Sequence, residues 1–110
     1  MTTSAAPTTA TFRVDRFAVP TGALEPFMAR LRITQRLLDE CEGCRQNLVL
    51  LGGVEGDSVG VVTIVEWANG PAMEAAKAAM HAHYAREGFE PAAFIRELGV
   101  RADIGSYQSQ

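Results

Sequence analysis

The chain has 110 residues, of which 47% are hydrophobic and 21% charged, and its formal net charge is −3 at pH 7. This length suits one domain. Because the net charge is slightly negative, the protein has no positive electrostatic field that would attract nucleic acid. The N-terminus lacks a basic start and an apolar signal core, and no run of about eighteen apolar residues occurs. We therefore expect a cytoplasmic protein that binds neither nucleic acid nor membrane.

The first eleven residues contain little that could anchor a hydrophobic core. We expect residues 1–11 to form a disordered tail and residues 12–110 to form a single domain. A domain of that size buries only about two-thirds of the surface of its unfolded chain. Association of two copies would add burial, so the length itself favours a homodimer.

The predicted elements alternate between strand and helix patterns along the chain. Runs of β-forming residues predict strands, and apolar residues at helical spacing predict helices. Glycine-rich Gly52–Ser58 is expected to be the turn segment between the second and third strands. In chain order the elements are strand Phe12–Val19, helix Ala23–Cys41, strands Gln46–Leu51 and Val59–Trp67, helices Ala72–Arg86 and Glu90–Leu98, and strand Val100–Tyr107.

The strand ending at Trp67 has apolar side chains at both alternating parities, which is typical of a strand covered on both faces. Val61, Val65 and Trp67 point one way together with Thr63, whereas Val62 and Ile64 point the other way. The order β-α-β-β-α-(α)-β predicts an α+β, ferredoxin-like fold with a four-stranded antiparallel sheet and helices on one face. The open face of that sheet is the predicted homodimer surface.

Two cysteines in the segment Cys41-Glu42-Gly43-Cys44 have the spacing of redox or metal motifs. A redox pair belongs at a helix N-terminus, whereas this pair follows the end of a predicted helix. A zinc site needs two further ligands, and His81 and His83 diverge by about 200° on a helix. We therefore expect no metal site, with Gly43 ending the helix and Cys44 packing as a small hydrophobe.

Several short motifs occur in an order that resembles the antibiotic biosynthesis monooxygenase family. They are Gly43-Cys44 before the second strand, Glu66-Trp67 ending the third strand, and an alanine-rich helix that carries His81. The resemblance spans Phe12 to Tyr107, although Glu42 stands where the family commonly has proline. It implies a dimeric α+β barrel.

The resemblance also implies an activity. Active members of the family oxidise electron-rich aromatic compounds with O₂, without flavin, metal or haem, in a cleft between sheet and helices. Such chemistry needs a proton acceptor, hydrogen-bond donors for an oxyanion and a dry pocket. The expected function is therefore cofactor-independent oxidation of a small aromatic or quinone-type metabolite.

Candidate site residues follow from the same resemblance. Trp67 and His81 match a cleft-lining tryptophan and a histidine of the second helix, and Thr63 stands where the aromatic-oxidising members have asparagine. Core packing is the alternative role for Trp67, and His81 lies about a quarter-turn from the buried stripe of Met73, Ala76, Met80 and Tyr84. The substrate-binding candidates are Tyr84, Asn47 and Met80.

Further polar residues have simpler interpretations. Asn47, Arg16 and Asp103 are the strand residues that could face inward, and edge exposure is the ordinary explanation for them. His83 lies on another face of its helix. The arginines at 30, 32 and 36 are expected largely on the solvent side of the first helix, near acidic residues.

Two other functions stay open. The haem-degrading branch of the superfamily has an asparagine on the first strand, and the segment Phe12–Phe17 contains none. A non-catalytic dimer that binds a small hydrophobic ligand is also compatible with the sequence, because fold does not determine function. A ring-sized cleft beside Trp67 with a titratable group would favour an enzyme, whereas a cleft filled by Met73, Met80 and Phe94 would favour an inert protein.

Overall fold

The computed structural model describes residues 9–110. For residues 1–8, the predicted disorder of the tail therefore lies outside the described residues. The predicted order of elements is confirmed, with a short 3₁₀ turn at Thr21–Ala23 before the first helix. The elements are β1 (Thr11–Pro20), α1 (Leu24–Asp39), β2 (Cys44–Glu55), β3 (Ser58–Trp67), α2 (Gly70–Glu87), α3 (Pro91–Leu98) and β4 (Arg101–Gln108).

The strands form one antiparallel four-stranded sheet in the order β2-β3-β1-β4. Odd- and even-numbered side chains of β3 point to opposite faces of the sheet, as the apolar pattern predicted. The inner face packs against all three helices, in one cluster around Phe17, Phe27 and Val61 and a second around Trp67 and Ala76. The predicted α+β, ferredoxin-like fold is confirmed.

The outer face of the sheet is covered by no helix in residues 9–110. Leu48 and Leu50 on β2 are 36% and 47% exposed on this face. Val62 and Ile64, in the neighbouring strand, are half-buried there. None of the helices in the described range is long and apolar enough to cross a bilayer.

The glycine-rich segment between β2 and β3 corrects one sequence prediction. Gly52–Ser58 was expected to be a loop, yet β2 continues to Glu55, and only Gly56 and Asp57 form the hairpin turn. Gly56 has φ +62°, as the first central position of a type II′ hairpin requires. The register shifts between Leu51 and Val54, because the glycines there accommodate a β-bulge rather than a break in the strand.

The helix ends follow local capping rules. The Asn69 side chain accepts a hydrogen bond of 2.8 Å from the backbone N–H of Ala72, and Pro71 lies in the first turn of α2. Gly88 ends that helix with φ +74°, as predicted. Helix α1 ends at Asp39, two residues before the predicted end at Cys41, since the chain must turn there toward β2.

The cysteines after α1 are free thiols that pack beside the cluster containing Trp67. Burial raises the pKa of both the Cys41 and the Cys44 thiol, which keeps them protonated and weakly nucleophilic. Gly43 has φ +88°, and a Cβ atom there would lie 2.7 Å from the Cβ of Ala72. Contrary to the expectation, Gly43 does not end the helix, since α1 has its C-cap at Glu40; it lies in the turn before β2, while Cys44 packs as a small hydrophobe.

Candidate functional site

A cavity of about 520 Å³ lies between the inner face of the sheet and the helices. That volume is within the usual range of small-molecule pockets. Met73, Met80 and Phe94 line its wall without filling it. The cavity contains every site residue predicted from the sequence, namely Asn47, Thr63, Trp67, Met80, His81 and Tyr84.

Trp67 and Thr63 lie on the same face of β3. Trp67 is only 2% exposed and packs in the cluster with Val65 and Ala76, so it is a core residue as well as part of the cavity wall. Thr63 is half-buried and lies opposite Asp15 on β1. The two residues are four positions apart on the strand, which is about 13 Å along the sheet.

The two candidates on α2 differ in their surroundings. His81 is exposed and contributes to the solvent side of the wall. The Tyr84 hydroxyl lies 3.1 Å from the hydroxyl of Thr34 on α1, and its ring centroid lies 5.2 Å from that of Phe89. His83 is 3.6 Å from the carboxylate of Glu87 on its own helix. Tyr84 thus joins the two helices across the cavity.

Asn47 connects β2 to the end of α1. Its Nδ2 donates hydrogen bonds of 2.9 Å to the backbone oxygen of Gln35 and of 2.9 Å to Oδ1 of Asp39. In return, Nε2 of Gln35 donates to the backbone oxygen of Asn47 at 3.0 Å. Both amide protons are occupied, so the side-chain oxygen is the group that Asn47 can offer to a ligand.

Sequence reasoning missed an ion pair on the inner face of β1. Arg13 and Asp15 line the cavity, and Nε of Arg13 donates a hydrogen bond of 2.7 Å to Oδ1 of Asp15. The Arg13 and Asp15 side chains are 27% and 18% exposed. Burial raises the pKa of Asp15 above its usual range, and the Arg13 guanidinium partly opposes that effect. Arg13 and Asp15 stand at alternate positions with Phe17 and Val19. Because alternate side chains of a strand share a face, this spacing could have predicted that the pair points inward.

Arg16 and Asp103, the other strand residues considered as inward-facing, are exposed. They lie opposite one another on β1 and β4, at outer-face positions. A strand side chain one position away from an inner-face residue necessarily points outward. Edge exposure, the ordinary explanation given for them, applies to Asp103 on the edge strand β4, whereas Arg16 lies on the central strand β1 and is exposed because it faces outward.

Arg30 was expected on the solvent side of α1, yet its side chain is only 14% exposed and lines the cavity. Its terminal nitrogens donate hydrogen bonds of 2.7 and 2.8 Å to the two carboxylate oxygens of Glu87. The guanidinium carbon lies 3.5 Å from the ring centroid of Phe89. This arrangement lowers the pKa of Glu87 and raises that of Arg30. Arg30 lies three residues after buried Phe27, and residues at this spacing share one side of a helix. That spacing could have predicted its inward position.

The cavity therefore combines an apolar interior with two arginine–carboxylate pairs. Within residues 9–110, no group of three or more His, Cys, Asp or Glu side chains is placed to hold a metal ion. The titratable side chains among the lining residues are Arg13, Asp15, Arg30, Lys77, His81 and Tyr84. Such a site can enclose a ring compound and exchange a proton with it.

No protein-family model and no curated protein matches this chain. Solved structures do match it. A variant of SnoaB, a cofactor-independent oxygenase from Streptomyces nogalater, is 19% identical with a TM-score of 0.66, covering 92% of this chain and 93% of that one. A dimeric ferredoxin-like protein from an uncultured marine organism is 11% identical with a TM-score of 0.70, covering 92% and 95%.

A third structure comes from Bacillus cereus, and its assignment as an antibiotic biosynthesis monooxygenase is provisional. It is 17% identical with a TM-score of 0.57, covering 93% of this chain and 94% of that one. At sequence identities this low, the similarity establishes a shared fold and not a shared activity. The likeness nevertheless spans the whole β-α-β-β-α-α-β unit. The chain therefore has the ferredoxin-like fold found in the antibiotic biosynthesis monooxygenases, as the sequence resemblance implied.

Proposed function

We propose that this protein is a homodimeric, cofactor-independent monooxygenase that oxidises a small aromatic or quinone-type metabolite with O₂. The observation that carries the proposal is the cavity itself, about 520 Å³ in volume, with Trp67 in its wall and ionisable side chains among apolar ones. The fold shared with SnoaB, a cofactor-independent oxygenase, supports it. An aromatic ring suits this cavity because it can pack against Trp67 and the apolar lining.

The proposed reaction needs no external reductant. When a ring carrying a keto or phenolic oxygen and a neighbouring CH₂ group loses a proton, the resulting anion can donate electrons to O₂. Over the whole reaction the CH₂ group becomes a carbonyl, one oxygen atom enters the product, and the other leaves as water with the two hydrogens. The protein has to accept a proton, stabilise the oxyanion and exclude bulk water.

The test is oxygen uptake by the purified protein with a panel of anthrones, which carry the CH₂ group that the reaction converts to a carbonyl, and of hydroquinones and flavonoid-like phenols without that group as comparison compounds. We expect Trp67→Phe to lower kcat/KM about tenfold because the smaller ring lacks the indole N–H and part of the stacking surface. Tyr107→Phe, at a site 54% exposed on β4, is the matched aromatic control. Circular dichroism confirms that each variant is folded.

Two results would contradict this proposal. Unchanged kinetics in Trp67→Phe would remove Trp67 from the site. Binding of panel compounds without oxygen uptake would instead identify a non-catalytic protein that binds a hydrophobic ligand, which is the second function left open by the sequence.

The homodimer forms, in this proposal, through the outer face of the sheet. Its apolar side chains Leu48, Leu50, Val62 and Ile64 have no covering helix in the described range, and a second copy would remove them from water. One structural neighbour is a dimeric ferredoxin-like protein. Sedimentation at micromolar concentration should report a dimer, and a stable single subunit would contradict this part of the proposal.

A further inference from the structure

The Arg13–Asp15 pair lies at the floor of the cavity, where the packing of the fold does not require it. Asp15 lies opposite Thr63 on β3 and opposite Ile104 on β4, so its strand neighbours carry no charge. The pair joins two residues of one strand and links no separate elements. Half-buried charges in an apolar cavity cost desolvation energy, which points to a use other than stability.

The atoms of the pair are only partly engaged. Among the hydrogen bonds of the described residues, the Asp15 carboxylate has one, which Oδ1 accepts from Nε of Arg13. This leaves Oδ2 of Asp15 and the two terminal nitrogens of Arg13 for a ligand. One carboxylate oxygen and two N–H groups thus lie side by side as an acceptor and a set of donors.

The other titratable groups of the cavity are less suited to accept a proton. The Tyr84 hydroxyl pairs with Thr34 and is a weak base, and His81 is exposed to solvent. Arg30 and Lys77 are cations. Glu87, beside the cavity, has both carboxylate oxygens bound by Arg30. Asp15 alone combines a free carboxylate oxygen with a position in the lining.

We propose that Asp15 is the proton acceptor of the reaction and that Arg13 orients its carboxylate and stabilises the oxyanion formed on the substrate. This inference rests on the proposed function. It also specifies the substrate class, a neutral ring compound with a keto or phenolic oxygen beside the acidic C–H bond. The oxygen accepts hydrogen bonds from the Arg13 terminal nitrogens while the proton faces Oδ2 of Asp15.

Each proton and electron pair in the proposed reaction has a donor and an acceptor. Asp15 takes the proton from the CH₂ carbon, and the electron pair of the broken C–H bond delocalises onto the ring oxygen. The anion transfers two electrons in total to O₂ and forms a C–O bond, which gives a peroxide anion on carbon. The protonated Asp15 returns its proton to the peroxide. Loss of the remaining hydrogen on that carbon as H⁺ and of hydroxide from the O–O bond then gives the carbonyl and water.

Burial also changes the pKa of Asp15 in the direction that proton acceptance requires. It raises the Asp15 pKa, which makes the carboxylate a stronger base, while the hydrogen bond and charge of the adjacent Arg13 act in the opposite direction. Thr63 and Ile104 face it from the flanking strands without charge. The helices contribute Arg30, Lys77, His81 and Tyr84 to the same cavity. The acid limb of the pH profile of kcat/KM should therefore lie above pH 3.8, the usual value for an aspartate.

The first experiment compares Asp15→Asn with Asp57→Asn, a matched substitution in the exposed hairpin turn between β2 and β3. With a panel compound that the unsubstituted protein oxidises, Asp15→Asn should lower kcat/KM by about 10²- to 10⁴-fold and remove the acid limb of the pH profile. Asp57→Asn should change neither. Oxygen uptake that is unchanged in Asp15→Asn, or that keeps the same acid limb, would overturn this inference and leave the proposed function standing.

A second experiment tests the contact with Asp15 without any oxygenation. The probe is 4-nitrophenol, whose absorbance reports whether the bound hydroxyl is ionised. In the unsubstituted protein the hydroxyl donates to the Asp15 carboxylate, whose negative charge disfavours the phenolate. In Asp15→Asn the unmatched Arg13 cation should favour the phenolate, so the bound probe should ionise at lower pH.

Asp57→Asn is again the control and should leave the ionisation of the bound probe unchanged. Identical ionisation in Asp15→Asn and the unsubstituted protein, or failure of the probe to bind, would overturn the assignment of Asp15. Because this readout involves no O₂, a protein that oxidises none of the panel compounds would contradict the proposed function without deciding the contact.

Discussion

The two arginine–carboxylate pairs at the cavity use the same chemical groups in different ways. Arg30 and Glu87 form two hydrogen bonds, connect α1 to the end of α2, and leave no free carboxylate oxygen. Arg13 and Asp15 form one hydrogen bond within a single strand and leave an oxygen free. The comparison shows that the number of unengaged atoms, rather than the presence of charge, separates a pair that holds the fold together from one that can act on a ligand.

The largest effect that this comparison predicts is on catalysis. Arg13→Gln should lower kcat about 10²-fold, because a neutral amide replaces the cation that stabilises the developing oxyanion. Arg36→Gln is the matched control, since Arg36 is exposed on α1 and is not among the residues that line the cavity. Oxygen uptake with the best panel compound measures both variants. If the two substitutions have equal effects, the inner-face pair has no special part in the reaction.

A smaller effect is expected on stability at the other pair. Arg30→Lys should lower the free energy of unfolding by about 1 kcal/mol, because an ammonium group neither binds both oxygens of Glu87 nor stacks flat on Phe89. Arg32→Lys, at an exposed position of the same helix, should have almost no effect. Urea unfolding followed by circular dichroism measures the difference. Equal stability of the two variants would mean that the Arg30–Glu87 pair does not stabilise the closed arrangement of the helices.

The smallest predicted effects are opposite pH dependences of stability at the two carboxylates. The pKa of Glu87 is lowered, so its stabilising contribution exists above its usual value of 4.5 and disappears as the pH falls through the folded-state pKa. The pKa of Asp15 is raised, so its contribution is fully present below 3.8 and is lost as the pH rises through the folded-state pKa.

Thermal unfolding at about pH 3 and about pH 6 separates these two cases. At the higher pH, Glu87→Gln should unfold at a lower temperature than the unsubstituted protein, and Asp15→Asn at an equal or higher temperature. Both differences should shrink at the lower pH, where a larger fraction of each carboxylate is protonated. The same sign for both variants at the higher pH would remove the distinction between the pairs.

The sequence pattern predicted the fold well because each element has a local signal. Alternating apolar residues predicted β3 with two covered faces, and Pro71 and Gly88 were correctly placed at the two ends of α2. The segment after Leu51 was misjudged because glycines mark both turns and bulges. Only the pairing with β3 shows that the strand continues to Glu55.

The site was predicted less completely. Trp67, Thr63 and His81 were matched to family positions through the resemblance, and the structure places all three in the lining of one cavity. Asp15 could have been found because it lies two positions before Phe17 and so shares its face of the strand, but charged residues in a short strand are usually read as solvent-exposed. Arg30 could not be assigned from α1 alone, since Glu87 and Phe89 lie more than fifty residues away in the chain.

By itself, the sequence determined the order of the elements, the two faces of β3 and, to within about two residues, the positions where helices begin and end, because these depend on residues close together in the chain. Only the tertiary structure decided which polar groups share the cavity and which of their atoms stay free. That outcome depends on the register between β1 and its two neighbours and on the way the helices close over the sheet. Both involve contacts across long sequence separations, for which local patterns contain no signal.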